Sequence, residues 1–466
     1  MDKDGMRDDY VSYEPAASHL YVYQHDRNEL VSFREPVLLH EDNSRERLYV
    51  ATFDGTGNDV VHDPEHATNI GLIAKQIETV NGPKVTAGYV AGPGTQQHEP
   101  IHHMLDAAFG YTADARVEHI YKQLIDQTWK WKREDPDAQI RVAATGFSRG
   151  ADEVALFARL VDERGIQDPS GAKYTYDSRH QIKHVEYTRP PLVPPHQVAQ
   201  AVALFDPVGT GHEMHEDRRL PPSVISGIQI TALDEHRGLF KSDRVIDPGI
   251  TADGRFAGVY VPGAHSDVGG GYSRDGLSVR SGNLAIDYLN GLSDQPFLDK
   301  RAEPDDPRLN VIHHSQEGML LYRIAPKVDR LRPDGYNELE VSSSQFGQVA
   351  DPYNAEPRDE NLSRQFDWQV MPNGPLPAVE PRMGAVAITR NSSTDDMFNA
   401  LCQAAGSRDD TASREIARIY GQSDEGRIFL AVGRAMNQQV DSQQVAIQAP
   451  LQAAAQWQPQ GAGFCR

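Results

Sequence analysis

Ile140-Arg-Val-Ala-Ala-Thr-Gly-Phe-Ser-Arg-Gly-Ala-Asp152 is the stretch whose reading decides the fold. A β-rich apolar run, 140–144, enters Gly146-Phe147-Ser148-Arg149-Gly150, and a helical pattern leaves it with Val154, Phe157, Leu160 and Val161 on one face. That is a strand, a tight turn and a helix. In the G-x-S-x-G nucleophile elbow the serine sits at the tip of a strained strand-to-helix turn, and its flanking glycines let the chain turn sharply and neighbours approach. The turn also puts Ser148 at the N-terminus of the following helix, where the dipole and backbone N–H groups favour developing negative charge. The competing reading is a chance pentapeptide before a surface helix; the context on both sides favours the elbow.

Upstream, the buried-strand pattern 47–53 runs straight into Asp54-Gly-Thr-Gly-Asn-Asp59. A strand ending this way presents backbone N–H groups at the carboxyl edge of a sheet, where α/β folds put their sites. A plain turn is the alternative, and neither the full G-x-G-x-x-G nor the terminal lysine of a P-loop is present. A helical stretch near 68–78, a strand at 85–91 and a longer amphipathic helix with Val117, Ile120, Tyr121, Leu124 and Thr128 lead to the elbow. Downstream come three more strands. The first, 198–205, ends in Asp206-Pro-Val-Gly209; the second, 225–233, ends in Asp234-Glu-His-Arg237; the third, 256–261, ends in Pro262-Gly-Ala-His-Ser-Asp-Val-Gly-Gly-Gly-Tyr272. Strands separated by helices give an α/β fold, a mostly parallel sheet with helices on both faces, of α/β-hydrolase type.

These three strands deliver an acid, an acid and a histidine to one sheet edge. Ser148, Asp206 and His265 fall in the order Ser, Asp, His that this fold uses for its triad. Each has a bland alternative: Asp206 before Pro207 can open a turn, and His265 can be a packed histidine. Asp267, two residues from His265, has little freedom to reach its Nδ1. Asp234 follows a strand where many α/β hydrolases carry their acid, but Glu235, His236 and Arg237 beside it offer a role in an ion-paired turn. Asp206 ends the strand that follows the elbow unit, so it is the assigned acid, with Asp234 in reserve.

Of 466 residues, Lys plus Arg are 46 and Asp plus Glu 67, a formal charge of −21. Such a surface argues against nucleic acid as a partner and against electrostatic docking on an anionic membrane. Cys402 and Cys465 make no disulfide framework. The chain shows no secretory signal and no apolar run of membrane-spanning length, so it is expected to be made soluble in the cytoplasm, with any export by a route other than a cleaved signal.

The expected organisation is a polar, irregular N-terminal arm at 1–45, a catalytic domain at 46–325, an irregular excursion or cap at 326–392, and a helical region at 393–466. Within the catalytic domain, 166–197 loses periodicity and crowds tyrosines, histidines and prolines; it reads as a lid-like or substrate-facing insertion. Helices at 283–292 and near 316–322 are expected to finish the core. The tail 438–460 carries nine glutamines and cannot specify a core.

With Phe53-Asp-Gly-Thr-Gly-Asn58, Gly146-Phe-Ser-Arg-Gly-Ala151, Phe205-Asp-Pro-Val-Gly209, Leu233-Asp-Glu-His-Arg237 and Gly263-Ala-His-Ser-Asp-Val-Gly-Gly-Gly-Tyr272 in hand, residues 46–325 resemble a family. It is the α/β-hydrolase lipase effectors of bacterial type VI secretion. The resemblance implies an A-type phospholipase that hydrolyses fatty-acyl esters of membrane phospholipid in a rival's envelope. It also implies export by contact-dependent secretion machinery and a cognate immunity protein as partner. It favours Asp206 as the acid. Two departures, Asp152-Glu153 after the elbow and Pro207 in place of the commoner threonine, bear on pocket shape more than on chemistry. The glutamine-rich end is similar to tails of effectors exported by type IV machines. Ser148 would attack the ester with His265 as base, and the oxyanion would be met by the N–H of Arg149 and an N–H of the Gly55-Thr56 turn. No metal or organic cofactor is required. The alternatives are a soluble esterase of the same mechanism, or a catalytically inactive binding or docking module of the same fold.

Overall fold

The computed structural model describes residues 9, 11–30, 33–80, 82–93, 95, 113–177, 182–209, 216–318, 322–323, 326–339, 355–371, 397, 416 and 418–420. Met1–Leu376 form one compact unit and Pro377–Arg466 a second. Most of 393–466, including the glutamine-rich tail, lies outside the described residues.

The first unit is built on a seven-stranded sheet: β1 (Glu46–Phe53), β2 (Val85–Val90), β3 (Gln139–Phe147), β4 (Gln200–Phe205), β5 (Val224–Ala232), β6 (Gly249–Ile250) and β7 (Phe256–Val261). The order across the sheet is β6-β7-β5-β4-β3-β1-β2, and every neighbouring pair is parallel except β6 with β7. β1, β4 and β5 are buried along their whole length, as continuous apolar runs covered on both faces must be. Side chains on β1 alternate between two cores. Leu48 and Val50 join Ile70, Ile73 and Ile77 of α2 (Asn69–Val80), whereas Tyr49, Ala51 and Phe53 join Ile120 and Leu124 of α3 (Ala113–Glu134) and Val154 and Phe157 of α4 (Arg149–Arg164).

After β2 the chain returns to the other side of β1, so the order reverses between β1 and β3. In a parallel sheet that switch point leaves a crevice beyond the carboxyl ends of the two strands. Asp54-Gly55-Thr56 and Ser148 are the residues that follow those two ends.

Residues 11–45, expected to be irregular, are part of this unit. They carry the first helix, α1 (Leu20–Leu30), and bury Ala16, Tyr23, Leu30 and Phe33 in the main core. The Tyr23 hydroxyl lies 3.2 Å from the Pro262 and Leu277 carbonyls. The polar run 24–29 separates Tyr23 from Leu30 and hides the helical period in the sequence. The helix expected at 283–292 starts earlier, as Gly276–Gly291; in the stretch near 316–322, where another was expected, Ser315–Glu317 form a 3₁₀ turn, residues 322–323 are helical, and 319–321 lie outside the described residues. In 166–197, Lys173–Tyr176 and Ile182–Glu186 pair as an antiparallel hairpin. It sits by α3: Tyr121 meets Tyr187 edge-on at 6.4 Å and donates to the Gly165 carbonyl at 2.9 Å. In 326–392, Tyr336–Asn337 pair with Ser242–Asp243, and Trp368–Val370 pair with Arg34–Pro36. Among the described residues no helix is long and apolar enough to cross a membrane.

Candidate active site

β3 delivers Ser148 in a conformation that non-glycine residues rarely adopt, φ 59° and ψ −129°. Such strain costs on the order of 1–3 kcal/mol and persists only where the surroundings enforce it. Here the Ser148 N–H donates to the Phe205 carbonyl at 3.0 Å, the Ser148 carbonyl accepts from Ala151 N–H at 2.9 Å, and a Cβ on Gly150 would lie 2.3 Å from the Phe53 carbonyl oxygen. The turn is therefore clamped to β1 on one side and β4 on the other. Ser148 itself is 3 % exposed.

Asp206 follows β4, also with positive φ, 40°. Its Oδ2 lies 2.6 Å from His265 Nδ1, and its Oδ1 accepts from the Ala232 N–H at 3.0 Å. His265 opens a short helix, His265–Gly269, directly after the β7 loop. Its ring packs on Phe147 at 4.5 Å and meets Phe240 edge-on at 5.2 Å. Phe147, the variable residue of the elbow pentapeptide, also fixes its neighbours: a Cβ on Gly55 or Gly269 would come within 2.5 Å or 2.1 Å of its ring. Burial lowers the His265 pKa, outweighing the raising effect of Asp206. Burial pushes Asp206 up, but the Arg330 charge and the His265 bond hold it below its ordinary value.

Asp234 is elsewhere. Its Oδ2 accepts the Gly263 N–H at 2.7 Å and its own N–H donates to the Gly263 carbonyl at 3.0 Å, so it pins the loop that leads to His265. Glu235 takes both Arg237 Nε at 2.9 Å and Nη2 at 2.8 Å, accepts from Ser315 Oγ at 2.8 Å and receives the His265 N–H at 3.3 Å. Burial would raise this carboxyl, but Arg237 holds it at about 2. Asp267 accepts the Ala264 N–H at 2.9 Å and pairs through Oδ1 with His313 Nδ1 at 2.5 Å.

At the β1 end, the Asp54 carboxylate accepts from Gly55 N–H at 2.8 Å, Thr68 Oγ1 at 2.7 Å and the Tyr89 hydroxyl at 2.7 Å. The Gly55 N–H is thus committed to Asp54. The Arg149 side chain reaches back and donates from Nε to Thr56 Oγ1 at 2.8 Å, tying the β1 loop to the elbow. Asp152 and Glu153 are fully buried salt-bridge partners: Arg116 Nε lies 2.9 Å from both Glu153 oxygens, and Arg218 Nη1 spans Asp152 at 3.1 Å and Asp243. Their unusual place after an elbow is explained by these cations on α3 and on the loop after β4. Among the described residues no group of three or more His, Cys, Asp or Glu side chains converges as a metal site would require.

Sequence reasoning missed Arg330. It lies in the segment read as an irregular excursion, is 0 % exposed, and donates from Nη1 to Asp206 Oδ1 at 2.8 Å and from Nη2 to Oδ2 at 3.2 Å. An isolated arginine in a stretch without periodicity gives no signal of such a contact.

The Tle1 effector bound to the VgrG spike of the type VI secretion system is 20% identical over 49% of this chain and 51% of that one, with TM-score 0.29, so the chain spans about half the length of that effector. A dienelactone hydrolase from Anabaena variabilis is 10% identical over 53% of this chain and 87% of its own, TM-score 0.25. An esterase from Thermogutta terrifontis is 16% identical over 55% and 87%, TM-score 0.28. No curated protein matches the chain. Residues 47–290, more than half of the sequence and all of the seven-stranded sheet but the first residue of β1, match the family described as type VI secretion phospholipase effector Tle1-like, catalytic domain. The chain belongs to that family.

Proposed function

We propose that the chain is a serine acyl-ester hydrolase, an A-type phospholipase that cleaves a fatty-acyl bond of membrane phospholipid. The observation that carries this reading is the clamped, positive-φ Ser148 at the switch-point crevice, together with a buried His265 that packs on the adjacent Phe147 at 4.5 Å and is bonded to Asp206 at 2.6 Å. Ser148 Oγ attacks the ester carbonyl as its proton passes to His265 Nε2; the tetrahedral intermediate then expels the lysophospholipid alkoxide, which takes that proton. Water repeats the cycle on the acyl-enzyme and releases the fatty acid. Asp206 holds the Nδ1–H tautomer and offsets the imidazolium charge. The oxyanion is met by the backbone N–H of Arg149 and, with Gly55 N–H committed to Asp54, by that of Thr56.

Family membership supports the wider setting: synthesis in the cytoplasm, delivery by contact-dependent secretion machinery into a rival's envelope, antibacterial action there, and a cognate immunity protein in the producer. The deciding measurement is mass spectrometry of phospholipid vesicles incubated with wild type and Ser148→Ala. Wild type should release lysophospholipid and free fatty acid, and the variant neither. Equal turnover by both would sink the serine mechanism. Turnover of short soluble esters with intact vesicles left uncut would favour a soluble esterase, and failure of a fluorophosphonate to label Ser148 would favour an inactive docking module.

A further inference from the structure

The acid of the proposed triad is held by a residue from outside the segment that defines the family, since Arg330 lies beyond residue 290. Segment 326–337 is clasped along the loops after β5. Arg237 and Lys327 form an antiparallel bridge, Val328 N–H donates to the His236 carbonyl at 3.0 Å, and Ser242 N–H donates to the Gly335 carbonyl at 3.2 Å. This docking carries Arg330 to Asp206, where its fork takes both carboxylate oxygens. Asp206, at 0 % exposure, is cut off from bulk solvent, so its charge depends on the groups bonded to it. Removing one partner of a buried ion pair leaves the other uncompensated. The least costly relief for a carboxylate is to take up a proton. A protonated Asp206 no longer accepts both from the Ala232 N–H and from His265 Nδ1–H, so the histidine loses the orientation and tautomer the chemistry needs.

We propose that Arg330 is a positioning residue that acts through Asp206, and that the docked segment 326–337 is thereby a required part of the acid–histidine assembly. The inference rests on the serine-hydrolase reading above. It separates this role from simple packing, because an effect transmitted through Asp206 must disappear when Asp206 no longer carries a charge to be held.

The test is a double-mutant cycle between Arg330→Met and Asp206→Asn in the full chain, read as kcat and KM on a short soluble ester and as the rate of fluorophosphonate labelling at Ser148. Arg330→Met should lower kcat on the order of 10²-fold, less than the roughly 10⁴ expected for loss of the carboxylate itself, with KM within about threefold. In the Asp206→Asn background the same substitution should change kcat by less than about threefold. An equal loss in both backgrounds, or a loss confined to KM, overturns the inference. Should Arg330→Met not fold, Arg330→Lys keeps the charge but not the fork, and the same comparison of its two backgrounds decides. Near-wild-type turnover in Ser148→Ala is a different failure: it removes the parent reading, whereas a cycle without coupling in an enzyme that does depend on Ser148 removes only the role of Arg330.

Discussion

His265 and His313 are both buried, 4 % and 0 % exposed, and each has an aspartate on Nδ1, at 2.6 Å and 2.5 Å. Their proton states point in opposite directions. Burial lowers the His265 pKa, and its aspartate is shared with Arg330 while Arg237 lies close by. Burial pulls His313 down as well, but Asp267 and then Asp9, whose Oδ2 lies 3.1 Å from Nε2, raise it to about 9. The difference shows that a His–Asp contact does not by itself set the charge. The sum of neighbouring charges does, once water is excluded. Burial, with Arg237 adding to it, leaves His265 neutral and able to take a proton near neutrality. A second carboxylate makes His313 a standing cation, stacked on Tyr272 at 3.9 Å, that links residue 9 to the loop carrying His265.

The largest effect should come from Asp206→Asn. It is expected to lower kcat on the order of 10⁴-fold while circular dichroism stays that of the folded protein, because the amide favours the wrong tautomer of His265. A loss of only severalfold would remove Asp206 from its assigned role. Asp267→Asn should do the reverse, harming stability more than chemistry. It leaves His313 with Asp9 alone, and breaking a buried charge pair costs about 3–5 kcal/mol, read as a lower midpoint in urea. The same fractional loss of kcat as in Asp206→Asn, at a denaturant-free pH where the protein is folded, would erase the distinction between the two pairs.

The pH dependence sharpens it further. The His313 pKa is raised on folding from 6.5 to about 9, so its stabilisation is full below 6.5 and is lost as pH rises through 9. That is roughly 2–3 kcal/mol between those limits, and it should be smaller in Asp267→Asn, where only Asp9 is left to raise His313. His265 is shifted the other way, so the acid limb of kcat/KM should have its midpoint below 6.5. An alkaline loss of stability that survives unchanged in Asp267→Asn would assign it to another group.

The core was legible in the sequence because its strands are continuous apolar runs and its helices amphipathic. β1, β3, β4, β5 and β7 differ from the expected ranges by at most a few residues at each end. What escaped depends on contacts between residues far apart in the chain. Arg330 reaches Asp206 across 124 positions, and Asp9 reaches His313 across 304. Neither lies in a periodic pattern or a motif, and the partner of a buried charge is chosen by the folded surroundings rather than by neighbours in sequence. The same holds for Asp152 and Glu153, whose oddity after the elbow was visible while their partners Arg218 and Arg116 were not. The hairpin in 166–197 was hidden differently: its strands are short and mostly exposed, so no apolar alternation marks them. Its contacts with α3 make the expected covering of the acyl pocket a proposal still to be tested by trimming 173–186 and comparing vesicles with a soluble ester.

The smallest effect is expected at Asp234, the reserve acid. Its carboxylate accepts the Gly263 N–H at 2.7 Å and is only partly buried, and its pKa is raised because burial outweighs that bond. Asparagine keeps a side-chain oxygen that can accept the same N–H, so Asp234→Asn removes a charge whose solvation is already poor and retains the link that shapes the turn before His265. Asp234→Asn should therefore leave kcat within about tenfold of wild type, with the change appearing in both kcat and stability rather than as a collapse of chemistry alone, since a neutral hydrogen bond is worth only about 1 kcal/mol net. Asp234→Ala, which removes the acceptor, should do more, because the Gly263 N–H is then left without it. If instead Asp234→Asn is the crippled enzyme and Asp206→Asn is not, with both proteins folded, the two acids have been assigned the wrong way round, and the His265–Asp206 contact is a structural pair like that of His313.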